Sequence, residues 1–274
     1  MHMDNWIGLL QEVPLWYWTM VSGLIGAIVG SFLNVVIYRV PRSMSILKPS
    51  SHCPSCGTPI RPWNNIPLLS YILLRGRCSS CGAGFSIRYW VVEALGATVA
   101  VWSVARYGIS WEALAGALLG WHLIALAFID IETMTVPDHV VLPMALGGLL
   151  TSLAEGGWNG LGLSLLSAAI GAVFILLILV LARWMYRKEG IGLGDLTTVA
   201  GYGTYMQPML MPVSLLFAAV AGLAGSGVWM VVKRRDLRSI PIPFVPALAV
   251  GAWFTYLYGS DVVVFYLSLF LSDF

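Results

Sequence analysis

The sequence predicts an all-α polytopic membrane protein with about eight transmembrane helices. Of its 274 residues, 58% are hydrophobic and only 10% are charged, and the mean hydropathy is +0.83. A soluble domain carries about 25% charged residues, so this chain has too little polar surface to be solvated on all sides. The lipid bilayer is therefore its predicted surrounding. A net charge of +2 gives no indication of nucleic-acid binding, and no nucleic-acid partner is predicted.

The predicted spans follow from the thickness of a bilayer, whose core of about 30 Å needs about 20 apolar residues per helix. Eight segments approach this pattern, and several are short: 16–38, 89–107, 111–130, 139–155, 161–183, 195–210, 211–232 and 243–259. A ninth apolar stretch, 262–274, is too short to cross alone. The N-terminus lacks a basic region and a small-residue cleavage site, so the first apolar segment is predicted to be a retained span.

The basic residues predict the orientation. Fourteen of the fifteen fall in three clusters, within 39–88, 183–188 and 233–238, and only Arg106 lies elsewhere. Alternating the spans from an outside N-terminus puts all three clusters on one side and Arg106 on the other. The positive-inside rule makes that side the cytosol. This topology places Asp130 and Asp195 at the cytosolic ends of the third and sixth spans.

Four cysteines form two pairs in the 39–88 loop, as Cys53-Pro-Ser-Cys56-Gly and Cys78-Ser-Ser-Cys81-Gly. Two such knuckles supply four thiolates, the closed tetrahedral set that structural zinc takes. A loop of this length with few apolar runs buries little core, so the metal would supply its folding energy. The alternative is two disulfides or four free thiols, and a reducing cytosol argues against disulfides. The sequence therefore predicts a small zinc-binding cytosolic loop module.

Two aspartates stand beside apolar segments, Asp130 at the end of WHLIALAFID and Asp195 in Gly192-Leu-Gly194-Asp195. An ionisable residue at the hydrocarbon boundary is costly and usually functional. The two glycines let helices approach closely and keep the local backbone adjustable. Two facing carboxylates can share one proton, so that one acts as general base toward water and the other as general acid toward a scissile carbonyl. This is the chemistry of an aspartyl protease.

A structural role is the alternative for the same residues. Asp195 would cap the sixth span, and Asp138, which follows Pro137, would cap the fourth. His122 lies about two helical turns before Asp130 and is expected to be a buried polar helix contact. The sequence contains no Gly-x-Ser-x-Gly, His-Glu-x-x-His or P-loop motif, which disfavours serine hydrolases, metalloproteases of that type and nucleotide hydrolases.

A series of ordered motifs extends over most of the chain. Its members are Gly30-Ser-Phe-Leu-Asn-Val-Val-Ile-Tyr-Arg-Val-Pro41, both cysteine pairs, Asn65-Ile-Pro-Leu-Leu-Ser70, Leu74-Arg-Gly-Arg-Cys78, Arg88-Tyr89, Glu93, Asp130, Pro137-Asp138, Gly192-x-Gly194-Asp195 and Pro243-Phe-Val-Pro246. In this order they resemble the bacterial type IV prepilin peptidase family, also called leader peptidase/N-methyltransferase. Such a number of ordered motifs is far more specific than Gly-x-Gly-Asp alone.

The resemblance implies an inner-membrane enzyme that removes the basic leader of type IV prepilins or type II secretion pseudopilins on the cytosolic side. It also implies methylation of the new N-terminus from S-adenosylmethionine. By this match Asp130 and Asp195 would be catalytic, Glu132 and Asp138 would tune or position them, and the cysteine loop would serve methylation and leader docking. The chain would then divide into a first transmembrane segment (1–38), the cytosolic four-cysteine loop (39–88) and a transmembrane aspartyl peptidase core (89–274).

Two positions depart from the family pattern. Thr197 stands where a lysine usually follows Gly-x-Gly-Asp, and Trp90 stands where proline is common. No independent S-adenosylmethionine signature is visible in the sequence. Two competing hypotheses remain. A presenilin-type peptidase would explain Gly-x-Gly-Asp but not the cysteine loop, and a transporter or assembly scaffold would use the membrane acids as a proton relay without cleaving peptides.

Overall fold

The computed structural model describes residues 13–186, 192–233 and 243–271. Its α-helices are α1 (Leu15–Arg39), α2 (Leu69–Leu73), α3 (Arg88–Tyr107), α4 (Trp111–Thr133), α5 (Asp138–Tyr186), α6 (Leu193–Gly203), α7 (Met211–Lys233) and α8 (Val245–Leu271). Short 3-10 turns span Val40–Arg42, Pro62–Asn64 and Pro208–Leu210. Over the described ranges the chain forms no β-sheet, only isolated bridges, so the predicted all-α class is confirmed.

Five of the described helices are long and apolar enough to cross a membrane, by length and composition. They cover Leu15–Arg42, Trp111–Thr133, Asp138–Met185, Pro208–Gly227 and Val245–Leu269. A multi-pass membrane protein is therefore confirmed, whereas the predicted count of eight spans is not. The basic residues Arg187, Lys188, Arg234, Arg235 and Arg238, which the orientation prediction used, lie outside the described residues.

The differences in span count have local causes. Helix α5 contains both predicted spans 139–155 and 161–183, and Gly157, with φ 58°, breaks its helical backbone between them. The predicted span 195–210 is wrong in extent, because α6 has only 11 residues and ends at Gly203 before Pro208. Eleven helical residues rise about 16 Å, roughly half of a bilayer core. Residues 262–271 continue α8 instead of forming a separate segment.

The chain forms two compact units, Met1–Ala113 and Leu114–Phe274. In the first unit, α1 and α3 approach so closely that their backbones touch. A Cβ added at Gly30 would lie 2.7 Å from Cα of Glu93, and one added at Gly96 would lie 2.9 Å from Cα of Gly30. Small residues that permit such contact are the usual means of packing membrane helices. This contact fixes the facing residues Asn34 and Glu93, both buried.

Glycines also set the packing of the second unit. A Cβ at Gly203 of α6 would lie 2.8 Å from Cα of Ala168 in α5, and one at Gly251 of α8 would lie 2.5 Å from the backbone nitrogen of Ala218 in α7. Buried Leu119, Leu123 and Leu126 occupy one side of α4. Helix α4 thus carries Asp130 at the end of a well-packed apolar segment.

Candidate active site

The four-cysteine loop contains two copies of one backbone knuckle. In the first, the N–H of Gly57 donates to the Cys53 carbonyl (2.9 Å) and the N–H of Cys53 donates to the Thr58 carbonyl (3.0 Å). In the second, Gly82 and Cys78 repeat these bonds at 2.9 and 2.8 Å, the latter to Ala83. Both glycines have φ near 70°, a conformation that a side chain would strain. Each Cys-x-x-Cys-Gly segment therefore forms the knuckle that the sequence predicted.

The two knuckles bring the four sulfur atoms together. The sulfurs of Cys53, Cys56, Cys78 and Cys81 all lie within 4.8 Å of one another. Cys53 and Cys81 are 3.8 Å apart, sulfur to sulfur. Four thiolates at 2.3 Å from a tetrahedral zinc would be separated by about 3.8 Å. The donor set and its spacing therefore fit a closed four-sulfur metal site.

The surroundings of Cys56 favour its thiolate form. Its sulfur lies 3.3 Å from the Thr58 hydroxyl. Hydrogen bonds from the Thr58 hydroxyl and backbone N–H lower the pKa of the Cys56 thiol to about 6. The pKa of Cys78 is also lowered, by the backbone N–H groups of Cys81 and Ser80. Because the thiolate is the metal-binding form, these bonds favour metal binding by Cys56 and Cys78. The pKa of Cys81 is raised to about 11 beside the other three sulfurs, so its thiol would lose its proton as the metal binds.

Asp130 is held at the end of α4 by the start of α8. The carboxylate oxygen Oδ2 accepts the backbone N–H of Val245 at 3.0 Å, and Phe244 contributes a second backbone hydrogen bond. These N–H groups lie at the start of α8. The first N–H groups of a helix have no carbonyl partner within the helix, and the helix dipole there favours a negative charge. Asp130 is only 7% exposed. The segment Pro243-Phe-Val-Pro246 thus supplies a backbone cradle for this carboxylate.

Asp195 lies in the first turn of α6. Gly192 is the N-cap, and its N–H donates to Asp195 Oδ2 at 3.1 Å. Asp195 is the third residue of the helix, and its side chain accepts a hydrogen bond from the N-cap backbone. The alternative prediction that Asp195 itself is the N-cap residue is therefore wrong, although its side chain does help to cap the helix. Asp195 is 9% exposed. One backbone bond leaves this carboxylate with unused acceptor sites, because an ionised carboxylate offers about four.

The two aspartates lie close enough for their charges to repel each other. Each is buried, and each is oriented by a backbone N–H at a helix start. Two like charges in such a place do not ionise independently, and a shared proton is the favoured arrangement. The pair can therefore present one carboxylate as a base and one carboxylic acid as a proton donor.

Gly194 brings the two halves of this site together. A Cβ added at Gly194 would lie 2.7 Å from Cγ2 and 2.8 Å from Cβ of Val136, in the segment that follows α4. Gly194 precedes Asp195, and Val136 lies between Asp130 and Asp138. The second glycine of the motif is thus needed for close approach, as the sequence predicted. Gly192 has φ −81° and its Cβ position is open, so its role is the N–H donated to Asp195.

We expect Gly194→Ala to slow any reaction that uses the aspartate pair by about 10- to 100-fold, because the new methyl group would push α6 away from Val136. A displacement of about 1 Å at a catalytic group can cost that much. The check is the single-turnover rate of peptide cleavage. Adding Val136→Gly, which removes the clashing atoms, should restore much of the rate. Failure of this second change to restore the rate would contradict the steric explanation.

Val245→Pro removes the backbone N–H that donates to the Asp130 carboxylate, and it leaves the carboxylate itself intact. Proline is tolerated at the first position of a helix, so α8 should still form. We expect cleavage to fall by about 10-fold or more, because a charge-assisted hydrogen bond contributes about 1.5–3 kcal/mol. Val245→Ala keeps the N–H and is the matched control. Equal rates for the two variants would show that this hydrogen bond does not orient Asp130.

The other predicted site residues lie in the same unit as the pair. Glu132 and Asp138 are exposed on either side of the segment that contains Val136. The hydroxyl of Thr197 donates to the Gly194 carbonyl at 3.0 Å, inside its own helix. His122 lies within hydrogen-bond distance, 2.7 Å, of the Leu118 carbonyl through Nδ1, which is the predicted helix contact.

Sequence reasoning did not identify the backbone groups of Phe244 and Val245 as part of this site. The motif Pro243-Phe-Val-Pro246 was visible as a feature of the last long span, but a backbone donor has no side-chain signature. The two flanking prolines were the available signal, since neither proline has an N–H and only Phe244 and Val245 can donate there.

Comparison with known proteins identifies the group to which this chain belongs. The family model of the bacterial peptidase A24 N-terminal domain matches residues 24–107, and the model of the type IV leader peptidase family matches residues 117–226. No solved structure matches the chain.

Curated relatives match over nearly the whole chain. The prepilin leader peptidase/N-methyltransferase of Aeromonas hydrophila is 36% identical over 291 residues, which cover 96% of this chain and 98% of the relative. The protein of the same name from Pseudomonas aeruginosa is 36% identical, with 89% and 91% coverage. The one from Neisseria gonorrhoeae is 35% identical, with 88% and 91% coverage. With both family models and these relatives matching, the chain belongs to the type IV leader peptidase family.

Proposed function

We propose that this protein is an inner-membrane aspartyl endopeptidase that removes the N-terminal leader of type IV prepilins or type II secretion pseudopilins. Asp130 and Asp195 form its catalytic pair, supported by Gly192, Gly194, Glu132 and Asp138. The observation that carries this proposal is the burial of two interacting carboxylates, each held by a backbone N–H at a helix start. The name that these relatives share, prepilin leader peptidase/N-methyltransferase, supports both leader removal and N-methylation.

The chemistry follows from the shared proton. The ionised carboxylate accepts a proton from a water molecule, which attacks the scissile carbonyl carbon. The protonated carboxylate donates its proton to the carbonyl oxygen as the tetrahedral intermediate forms. Collapse of that intermediate breaks the C–N bond: the carboxylic acid formed when water was deprotonated gives its proton to the leaving nitrogen, and the other carboxylate takes a proton from a hydroxyl of the intermediate. The leader and a new amino terminus are released, and the pair again holds one proton. Backbone N–H groups keep both carboxylates in position at no cost in side-chain reorganisation.

The proposed location is the cytosolic face of the membrane. The described basic residues of the 39–88 loop and Arg183 support this orientation through the positive-inside rule. A prepilin has a basic leader followed by an apolar helix, so its scissile bond lies near the cytosolic interface. Carboxylates at that depth can contact both the scissile bond and a water molecule while the substrate helix remains in lipid.

Zinc bound by Cys53, Cys56, Cys78 and Cys81 is the proposed structural metal. The sulfur spacing and the lowered pKa of Cys56 support it. Four thiolates leave no open coordination position, so the metal would hold the loop and take no part in cleavage. S-adenosylmethionine is the proposed methyl donor for the new N-terminus.

The test is to incubate the purified protein with a prepilin in lipid nanodiscs and follow the substrate by mass spectrometry. We expect loss of the leader, then a gain of about 14 Da on the product when S-adenosylmethionine is added, the mass of one methylene. An intact substrate with folded, zinc-loaded protein would overturn the peptidase proposal and favour the proton-relay scaffold. Cleavage without the mass gain would overturn only the methylation part.

A further inference from the structure

The part of the 39–88 loop that contains α2 carries its apolar side chains on the outside. Four of them, in the helix and in the turn before it, are about half exposed or more: Ile66 (46%), Leu69 (48%), Ile72 (60%) and Leu73 (70%). Ser70 and Tyr71 lie on the other side of α2, where they are buried and half-buried. An amphipathic helix in water has the reverse arrangement, with its apolar side chains inward. Residues 66–73 therefore present a surface suited to an apolar surrounding.

The backbone of this segment is hydrogen-bonded within the protein. The first N–H groups of a helix lack carbonyl partners, and side chains serve the turn before α2. The Ile66 N–H donates to Ser70 Oγ at 2.9 Å, and the Leu68 N–H donates to Glu93 Oε2 at 2.7 Å. Pro67, between them, has no N–H.

The residues after α2 are bonded in the same way. Four successive N–H groups donate back to carbonyls of the helix or of the residue after it, namely those of Leu74, Arg75, Gly76 and Arg77. A segment that contacts lipid must satisfy its backbone polar groups inside the protein, because lipid offers no partners. The N–H groups on both sides of α2 meet this requirement without water.

The hydrogen bond to Glu93 also sets the depth of α2 beside the long helices. Glu93 lies five residues after Arg88, the first residue of α3, which is about 7.5 Å along the helix axis. The Glu93 carboxylate is also hydrogen-bonded to the Ser31 hydroxyl of α1. Ser31 precedes Ile37, near the end of the apolar run of this span, by six residues or about 9 Å. Both helices therefore place the start of α2 inside the end of a membrane-spanning segment.

Cationic and interfacial residues flank the segment on both sides. Arg75 and Arg77 follow it and are exposed. Arg61 and Trp63 precede it, and the Arg61 guanidinium lies 5.7 Å from the centre of the exposed Trp63 ring. Tryptophan is enriched where membranes meet water, and basic side chains at that level attract anionic lipid headgroups. This order is the one expected of a short segment that enters a membrane surface and leaves it again.

We propose that residues 66–73 form a lipid anchor, which enters the membrane leaflet beside α1 and α3. Its four exposed apolar side chains contact acyl chains, and the flanking arginines lie at the headgroups. The depth of the segment agrees with the 5–10 Å or so to which interfacial helices bury their apolar faces. The inference rests on the membrane location of the chain and on neither cleavage nor methylation.

The anchor changes how the cysteine loop is attached to the membrane. The loop is already tethered at both ends, by α1 and by α3. Residues 66–73 lie between Cys56 and Cys78, so the anchor adds a third attachment between the two cysteine pairs. The predicted cytosolic loop 39–88 is then only partly in water, with its knuckles outside the lipid and its middle within the leaflet.

The test uses a phospholipid that carries a diazirine in its acyl chain, which forms covalent adducts where lipid contacts the protein. The full-length, zinc-loaded chain is reconstituted in vesicles of phosphatidylethanolamine and phosphatidylglycerol that contain this lipid. After irradiation and digestion, adducts are located by tandem mass spectrometry. We expect at least tenfold more adducts on residues 66–73 than on residues 50–59, a mostly exposed segment of the same loop. Equal adduct frequencies on the two segments would overturn the proposal.

Ile72→Glu tests the anchor by placing a charge on its apolar face. A charged side chain is costly among acyl chains, so adducts on residues 66–73 should fall at least fivefold. Ser50→Glu adds the same charge at an exposed position of the loop outside the anchor, and it should leave the adducts as in the wild type. A zinc-loaded Ile72→Glu protein with wild-type adducts would overturn the proposal. If Ile72→Glu loses zinc, the wild-type adduct map decides alone.

Other occupants of this face give different patterns in the same experiment. If a second copy of the chain covered the face, lipid adducts would be missing from residues 66–73 and chemical cross-links would join these residues in two chains. If the apolar helix of a substrate covered it, adducts on the free protein would disappear when a prepilin is added. Either result would overturn a lipid anchor and leave the peptidase proposal intact. We expect adducts that a prepilin does not change.

Discussion

Replacing either Asp130 or Asp195 with asparagine is expected to reduce leader removal by at least about 1,000-fold. Asparagine is nearly the same size, so the packing of α4 and α6 should persist, but its amide neither accepts a proton from water nor donates one as an acid does. General acid or base catalysis contributes about 100- to 10,000-fold, and loss of one member of a coupled catalytic set is commonly at the upper end. The measurement is the single-turnover rate in nanodiscs, followed by mass spectrometry of the substrate.

Asp261→Asn is the matched control for these two variants. Asp261 is exposed and lies in α8 of the same unit. Its replacement should change the rate by less than about twofold, as most surface substitutions have little effect. A rate for Asp130→Asn or Asp195→Asn within tenfold of the wild type would contradict a catalytic role for that residue.

Cys78→Ser is expected to release the metal and unfold the cysteine loop. Serine is a poor zinc ligand, and the remaining three sulfurs cannot close a tetrahedral site. Because the loop has little apolar core of its own, we expect zinc per chain to fall from about one to less than about 0.2. Trypsin should then cut at Arg75 and Arg77, both exposed, at least tenfold faster. Metal content is measured by mass spectrometry, and proteolysis by the rate of fragment formation.

Ser55→Ala provides the control for the cysteine variant. Ser55 is exposed and lies between two cysteines, so its replacement tests the knuckle without removing a sulfur. It should retain zinc and resist trypsin as the wild type does. Full zinc retention by Cys78→Ser would contradict the four-sulfur site.

Much of this architecture was predictable because its signals are local in the sequence. Apolar runs of sufficient length predict membrane helices wherever they occur. The Cys-x-x-Cys-Gly pairs predicted a metal loop because the glycine conformation and the two sulfurs belong to one five-residue turn. The proximity of Asp130 and Asp195 was harder to predict, because the two residues are 65 positions apart in the sequence. We predicted it only by placing both residues at the same face of the membrane.

The remaining features depend on tertiary contacts that no single segment encodes. The sequence predicted a longer span at the 11-residue α6, because the residues that follow Gly203 are also apolar. Hydropathy alone does not detect that the helix ends at Gly203 and that a 3-10 turn begins at Pro208. The burial of Asn34 and Glu93 depends on the approach of α1 and α3 through Gly30 and Gly96. The Val245 N–H reaches Asp130 across 115 residues, a contact with no side-chain signature.

The most direct test of the aspartate pair compares four proteins in one assay: the wild type, Asp130→Asn, Asp195→Asn and the double variant. If the two carboxylates act as one unit, the double variant should cleave no more slowly than the slower single variant, since the first change already removes the shared function. Rate losses that multiply in the double variant would mean that the residues act independently. That result would contradict a catalytic pair formed by Asp130 and Asp195.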